Sequence, residues 1–185
     1  GVCGEHRLPS MIGQPSPSEQ ASLVASLAPS RLRPYRQVFG GDTNAAIKLY
    51  LIEMDLIAAT QQLVAVVEVL MRESIHRELQ KVYGPRWFFA ERGRLDDRTR
   101  EEIRKATRFL RSPSPGQVVA EMTFGTWTYL LEPGGSIDKK TPNERAADYE
   151  SDLWAPAIQH AFNRDGGISR EAASELARHV RWLRN

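Results

Sequence analysis

Residues 63–76 read LVAVVEVLMRESIH, and this stretch decides the fold class. Most of its residues are aliphatic, and three ionisable side chains among them recur at every fourth position, which is the spacing of one face of an α-helix. Asp42 can cap a helix upstream, and Gly84-Pro85 interrupts the pattern after Tyr83. The sequence therefore predicts one long helix from Asp42 to about Tyr83.

Apolar residues recur at helical spacing along the rest of the chain as well. Further helices are predicted over residues 18–27, 30–39, 96–111, 116–131, 146–162 and 168–185. Pro156 is expected to kink or divide the helix over 146–162, and Ser169 is the expected N-cap of the last helix. No stretch has the alternation of a convincing strand, so the predicted fold class is all-α, a helical bundle.

Length and composition are those of an ordinary soluble globular domain. The chain has 185 residues, of which 41% are hydrophobic and 26% charged. Residues 1–17 are predicted to form a flexible tail, residues 18–185 one helical domain, and residues 132–145 a mobile loop within it. The net charge of +2 is too small to indicate a nucleic-acid partner by itself, so such a partner requires a local basic cluster.

The sequence predicts neither a membrane segment nor an exported protein. The longest helical run without charge, residues 56–67, is much shorter than a membrane span and contains Thr60. Residues 1–17 lack the apolar core of a signal peptide. The single cysteine, Cys3, permits neither an internal disulfide nor a cysteine-based metal site, which fits a reducing compartment. The predicted location is the cytoplasm, with no membrane partner.

Glu68, Arg72 and His76 form a ladder of polar side chains along one face of the long helix. In a structural interpretation, Glu68 and Arg72 form an ion pair at the edge of the core and His76 is a surface imidazole. In a functional one, the ladder serves a site, because a glutamate among aliphatic residues is costly to bury unless it is satisfied. An imidazole near a guanidinium suits metal-independent cleavage of RNA, with His moving the proton and Arg stabilising the charged phosphorane. No cluster of His, Asp or Glu has convincing metal spacing, and no metal or other cofactor is predicted.

Separate segments of the chain match one family pattern in the same order. They are RLRPY at 31–35, AIKLY at 46–50, EVLMRESIH at 68–76, VVAEMTFGTW at 118–127, LW at 153–154, AF at 161–162 and LRN at 183–185. These segments resemble the Abi-like (abortive infection) family of bacterial proteins, part of the HEPN superfamily. Several dispersed matches in order are much more specific than any one of them.

The resemblance implies a HEPN-like helical bundle and a ribonuclease that acts in phage defence or as the toxin of a toxin–antitoxin pair. It also implies RNA as substrate, a homodimer with a composite groove, and an antitoxin made of RNA or protein. Arg184 and Asn185 correspond to the first two positions of the family's motif, which is Arg, a polar residue, three further residues and His. By this resemblance Arg184 binds the scissile phosphate, Asn185 orients the motif His, and the ladder lines or braces the groove.

Three positions depart from the family pattern. The motif His falls after Asn185, so the 185 residues are expected to be truncated within the motif and catalytically crippled. Glu73 stands where the family usually has Asn after the ladder arginine. Ile52-Glu53 stands where a Trp-Asn pair is common.

Arg178, Arg181 and Arg184 recur at every third residue of the last helix. One interpretation is a solvated helix face, where arginines interact favourably with the negative end of the helix dipole. The other, which follows from the resemblance, is a strip of side chains that binds phosphate groups. On the second interpretation Arg178 and Arg181 bind RNA. Phe124 and Trp127 fit either core packing or stacking on RNA bases, and core packing is favoured because they share a face with apolar residues.

Two rivals to a ribonuclease remain. One is a non-catalytic HEPN module that binds RNA or a protein partner. The other is a structural helical dimerisation domain, which explains the predicted core but leaves the polar ladder without a role.

Overall fold

The computed structural model of the chain describes residues 16–89, 94–162 and 167–184. The chain falls into two compact units, residues 1–63 (unit 1) and residues 64–185 (unit 2). The division lies inside the longest helix. A single domain over residues 18–185 therefore stays a prediction.

The described residues are mostly helical, so the predicted all-α class is confirmed. The helices are α1 (Pro17–Ser26), α2 (Pro29–Val38), α3 (Thr43–Tyr83), α4 (Asp97–Thr107), α5 (Pro115–Glu121), α6 (Phe124–Tyr129) and α7 (Arg170–Arg184). A π-helical turn (Glu150–Trp154) and a 3₁₀ turn (Ile158–Phe162) lie before α7. Strand β1 (Ser136–Ile137) pairs antiparallel with β2 (Arg145–Ala146).

The predicted N-cap of the long helix is confirmed in unit 1. Asp42 Oδ1 accepts hydrogen bonds from the backbone N–H groups of Asn44 and Ala45 at 2.9 and 3.1 Å, which satisfies amides that have no partner within the helix. Tyr35 of α2 packs edge-on against Tyr50 of α3, with ring centroids 5.6 Å apart. These contacts fix α2 beside the first turns of α3.

Unit 2 has a continuous hydrophobic core built around buried tryptophans. Ile75 and Leu79 of α3 are fully buried and pack into it. Trp87, which follows α3, packs edge-on against Trp127 of α6 and against Phe88, with centroid distances of 6.0 and 5.4 Å. Aromatic pairs in this geometry contribute beyond their buried area, so the turn after α3 is anchored to α6.

The prediction of one helix over residues 116–131 was wrong, because the segment is divided into α5 and α6. Met122 has an extended backbone with ψ of 127°, and Thr123 caps the second helix by accepting the backbone N–H of Thr126 at 3.3 Å. A threonine side chain offers the backbone a partner outside the helix ladder, which favours a new helix start. The division places Phe124 and Trp127 on a short helix whose buried face enters the core.

The prediction that the chain has no strand was also wrong. Strand β1 lies within the loop predicted over residues 132–145, and β2 begins at the last residue of that range; the two strands pair in the register Ser136 with Ala146. Asp97 accepts the backbone N–H groups of Asp138 and Lys139 at 3.1 and 2.8 Å, which attaches this hairpin to the start of α4. The carboxylate lies far from these amides in sequence, so only the tertiary structure brings them together.

The helix predicted over residues 146–162 is replaced by the π-helical and 3₁₀ turns, which lie on either side of Pro156. The expected division at Pro156 is confirmed, since proline lacks the N–H that a continuous helix needs. Arg170, at the start of α7, donates to Glu150 at 2.7 Å and to the carbonyl oxygen of Leu131 at 3.1 Å. This buried arginine ties the turns to α7.

α3 is long and apolar enough to cross a membrane by length and composition, and only 6% of its most apolar 18-residue window is buried. Core helices of soluble proteins meet the same two criteria, so the finding is weak evidence for a membrane span. The cytoplasmic location stays a prediction.

Candidate functional site

All described residues of the predicted site lie in unit 2, on α3 and α7. Glu68 and Arg72 are mostly buried, with 22% and 26% of their side chains exposed. The ion pair of the structural interpretation, between Glu68 and Arg72, is not formed among the described residues. Glu68 Oε1 lies 3.2 Å from Arg184 Nη1, and Arg72 Nε lies 3.6 Å from Glu73 Oε1. The reason is tertiary: α7 places a guanidinium beside Glu68.

Two buried polar atoms of these side chains have no hydrogen-bond partner in the part of the chain that the structure describes. Glu68 Oε1 and Arg72 Nε are both shielded from solvent and have no hydrogen-bond partner among the described residues. The contact between Glu68 and Arg184 is therefore an attraction between charges without hydrogen-bond geometry. A buried polar atom without a partner costs about 1–3 kcal/mol, so a water or ligand group that donates to Glu68 Oε1, or one that accepts from Arg72 Nε, would lower this cost.

His76 is held in place by Trp87, which follows the end of α3. Its Nδ1 accepts a hydrogen bond from Trp87 Nε1 at 3.0 Å, and the two rings pack with centroids 6.4 Å apart. Because an indole N–H can only donate, the neutral His76 ring must carry its own proton on Nε2. Burial lowers the pKa of His76 below its ordinary value of 6.5, opposed by the nearby Glu73 carboxylate. Neutral His76 therefore offers an N–H donor at Nε2.

The three arginines of α7 do not form one continuous basic surface, because their side chains lie in different directions. Arg184 points at Glu68 on α3, whereas the Arg181 guanidinium lies toward α6, with its Cζ 5.7 Å from the centre of the Tyr129 ring. A Cβ built on Gly125 would stand 3.7 Å from the same Cζ, which is an ordinary van der Waals contact, so the guanidinium lies over Gly125 of α6 but does not require a glycine there. Arg178 is exposed. Within the described ranges neither Arg178 nor Arg181 forms an ion pair, and both charges remain available to a phosphate.

Two further predictions concern Asn185 and the aromatic residues Phe124 and Trp127. Asn185 lies outside the described residues, so its predicted role stays a prediction. Phe124 and Trp127 are 4% and 0% exposed, which confirms core packing and rules out a stacking platform at these rings.

The contacts of Trp87 and Tyr129 with the site were missed by sequence reasoning. Trp87 lies eleven residues after His76, across the Gly84-Pro85 interruption, and its role depends on how the chain turns there. A turn signal followed by an aromatic run predicts packing against the preceding helix, but it does not identify which side chain receives the indole N–H.

Comparison of the chain with protein-family models, with curated proteins and with solved structures finds no match. In the part of the chain that the structure describes, no group of three or more His, Cys, Asp or Glu side chains is placed to hold a metal ion. The site is thus defined by its own geometry: the Glu68 carboxylate of α3 beside the Arg184 guanidinium of α7, with Arg72 and the His76 imidazole further along α3.

Proposed function

We propose that the protein is a metal-independent endoribonuclease of the Abi-like type, with a HEPN-like fold. In this proposal it acts in the cytoplasm as a homodimer in phage defence, as a toxin that an antitoxin of RNA or protein restrains. The support comes from the sequence resemblance together with the placement of its separate segments.

The observation that carries the proposal is the 3.2 Å contact between Glu68 and Arg184. Glu68 belongs to the segment 68–76 and Arg184 to the segment 183–185, two stretches through which the chain resembles the family. Their meeting is not a consequence of helix periodicity, since they lie on different helices. It fits a site assembled from both segments.

The arrangement assigns a chemical role to each side chain. Arg184, which is half exposed, binds the scissile phosphate and stabilises the charge that develops during attack by the 2′-hydroxyl. Glu68 positions Arg184 before RNA arrives. Arg72 adds positive charge to the site. His76 donates a hydrogen bond from Nε2 to a phosphate oxygen or to the leaving oxygen. The general base is the motif His, which the resemblance places after Asn185.

The geometry of one surface favours the rival, a non-catalytic module that binds a protein partner. An apolar cavity of about 350 Å³ lies between α3 and α7, beside the 3₁₀ turn. At its edge Leu70 and Leu176 are 61% and 57% exposed. Exposed leucines beside an apolar cavity are typical of a protein-binding surface.

The deciding experiment uses a chain extended so that the motif His follows Asn185, and assays cleavage of structured RNA in the presence of a chelator. The Arg184→Ala variant is compared with Arg111→Ala, which removes an exposed arginine outside the site. We expect Arg184→Ala to lower the cleavage rate about a hundredfold or more, as loss of a transition-state contact does, and Arg111→Ala to leave it unchanged. Cleavage that survives Arg184→Ala, or that needs added metal, contradicts the proposal. RNA binding without turnover supports a non-catalytic module that binds RNA, and a mass measurement in solution tests the homodimer.

A further inference from the structure

Unit 1 contains a second concentration of arginine, distant in sequence from the site on α3 and α7. α2 contains three arginines, Arg31, Arg33 and Arg36, and no acidic residue. Arg33 and Arg36, with Ser30 and Gln37, line an open cup of about 700 Å³. A cup of this size is within the range of small-ligand sites.

One guanidinium in the cup is held in place by a neutral partner. Arg36 Nε and Nη2 both donate to Thr43 Oγ1, at 3.1 and 2.6 Å. Because a hydroxyl carries no charge, this contact orients the guanidinium without neutralising it. Arg36 is therefore fixed in direction and still able to bind an anion with its remaining N–H groups.

Acidic residues are scarce in the stretch of chain that forms the cup. Arg33 is exposed and forms no ion pair within the described residues. The acidic side chain that follows α2, Asp42, is occupied as the N-cap of α3. Residues 29–42 thus contain three arginines and only one acidic residue, Asp42.

The wall of the cup contributed by Gly40 and Gly41 is open. Both residues have positive φ, 58° and 97°, a conformation that glycine adopts without strain. Apart from the glycine and its two chain neighbours, no heavy atom lies within 4 Å of the point where a Cβ would stand on either residue. A ligand can therefore approach the backbone of this turn.

We infer that this cup binds a phosphate group through the guanidinium groups of Arg33 and Arg36. Paired guanidinium groups match the oxygens of phosphate, and Ser30 and Gln37 supply neutral hydrogen bonds beside them. The phosphate belongs either to an RNA backbone or to a free phosphate compound. This inference lies in unit 1 and does not depend on the ribonuclease proposal.

The test compares two arginines of the same helix. Arg33→Gln removes a charge from the cup, and Arg31→Gln removes the same charge from an exposed position that does not line it. Both variants keep a good helix former, and circular dichroism checks that α2 is intact. Binding is followed by NMR of the arginine Nε–H signals during titration with inorganic phosphate, and then with a short single-stranded RNA.

We expect Arg33→Gln to weaken binding about tenfold, the loss of one charge-assisted hydrogen bond, and Arg31→Gln to weaken it less than about twofold. Saturation by inorganic phosphate identifies a site for a free phosphate compound, whereas saturation by RNA alone identifies a backbone contact. Equal weakening by the two variants overturns the inference, since it reports only net charge. Absence of binding to both probes also overturns it. Arg111→Gln, which removes an exposed arginine outside both sites, is expected to leave the phosphate response unchanged. The response is followed at the Nε–H signal of Arg36 in the cup, so binding in unit 1 is distinguished from binding at Arg184, and failure of the ribonuclease proposal does not affect the result.

Discussion

The contact between Glu68 and Arg184 predicts a measurable coupling between two helices. At 3.2 Å and an effective dielectric constant of about 20, two unit charges attract by roughly 5 kcal/mol before desolvation and side-chain ordering are subtracted. Arg184 is 49% exposed and the contact lacks hydrogen-bond geometry, so solvent screening and the cost of desolvation offset most of this attraction. Exposed ion pairs contribute about 0.2–1 kcal/mol to the free energy of unfolding. Because only 22% of the Glu68 side chain is exposed, we expect this pair near the upper end of that range, at about 1 kcal/mol.

A double-mutant cycle with Glu68→Gln and Arg184→Gln measures this coupling. All four tryptophans of the chain, Trp87, Trp127, Trp154 and Trp182, belong to unit 2, so urea unfolding followed by tryptophan fluorescence reports on the unit that holds the pair. We expect a coupling free energy of about 1 kcal/mol in low salt, with a smaller value at about 1 M salt because the Debye length there is about 3 Å.

A second cycle, Glu68→Gln with Arg178→Gln, is the matched control. Arg178 lies on the same helix, and no ion pair joins it to Glu68 within the described residues. Its effect should therefore add to that of Glu68→Gln within about 0.3–0.5 kcal/mol. A coupling below about 0.3 kcal/mol in the first cycle, or equal couplings in both, refutes the reasoning that α7 places Arg184 at Glu68.

Three further changes test the core, the imidazole and the hairpin. Burial holds the pKa of His76 below 6.5, so its contribution to the free energy of unfolding is fully present above about pH 6.5 and is lost as the pH falls through the lower folded-state pKa. Urea midpoints between pH 8 and 5 should fall less for His76→Gln than for the unmodified chain, and parallel curves speak against this. Trp127→Ala, at a fully buried position, should cost about 3–5 kcal/mol of unfolding free energy in urea; a loss below about 1 kcal/mol contradicts the packing. Gly134→Ala should lower the thermal midpoint by imposing a strain of about 1–3 kcal/mol, because φ is 99° and the new Cβ would lie 2.8 Å from the carbonyl oxygen of Ala147. Gly116→Ala, with no atom within 4 Å, is its control, and equal midpoints in the two variants argue against the strain.

Local signals predicted the long helices well. Asp42 begins α3 and Gly84 ends it, as expected, because a cap and a helix-breaking pair act within one turn of the residues they affect. Ser169 likewise precedes α7, where its hydroxyl accepts the backbone N–H of Ala172 at 3.2 Å. These features need no knowledge of distant residues.

Short elements were predicted less well. The helix expected over 116–131 ignored the capping capacity of Thr123, a local signal that was present and could have been used. The hairpin within 132–145 had no such signal. Its attachment depends on the Asp97 carboxylate, which comes from α4 and receives backbone amides more than thirty residues away.

The sequence by itself determined the all-α class, the extent of α3 and α7, and the presence of Glu68, Arg72 and His76 on one helix face, because helix periodicity and capping are local. Only the tertiary structure decided how those side chains are paired. α7 brings Arg184 to Glu68 in place of Arg72, and the turn after α3 brings Trp87 to His76. The physical reason is that an ion pair or a hydrogen bond is set by distances of about 3 Å, and such distances between separate helices follow from packing rather than from spacing along the chain.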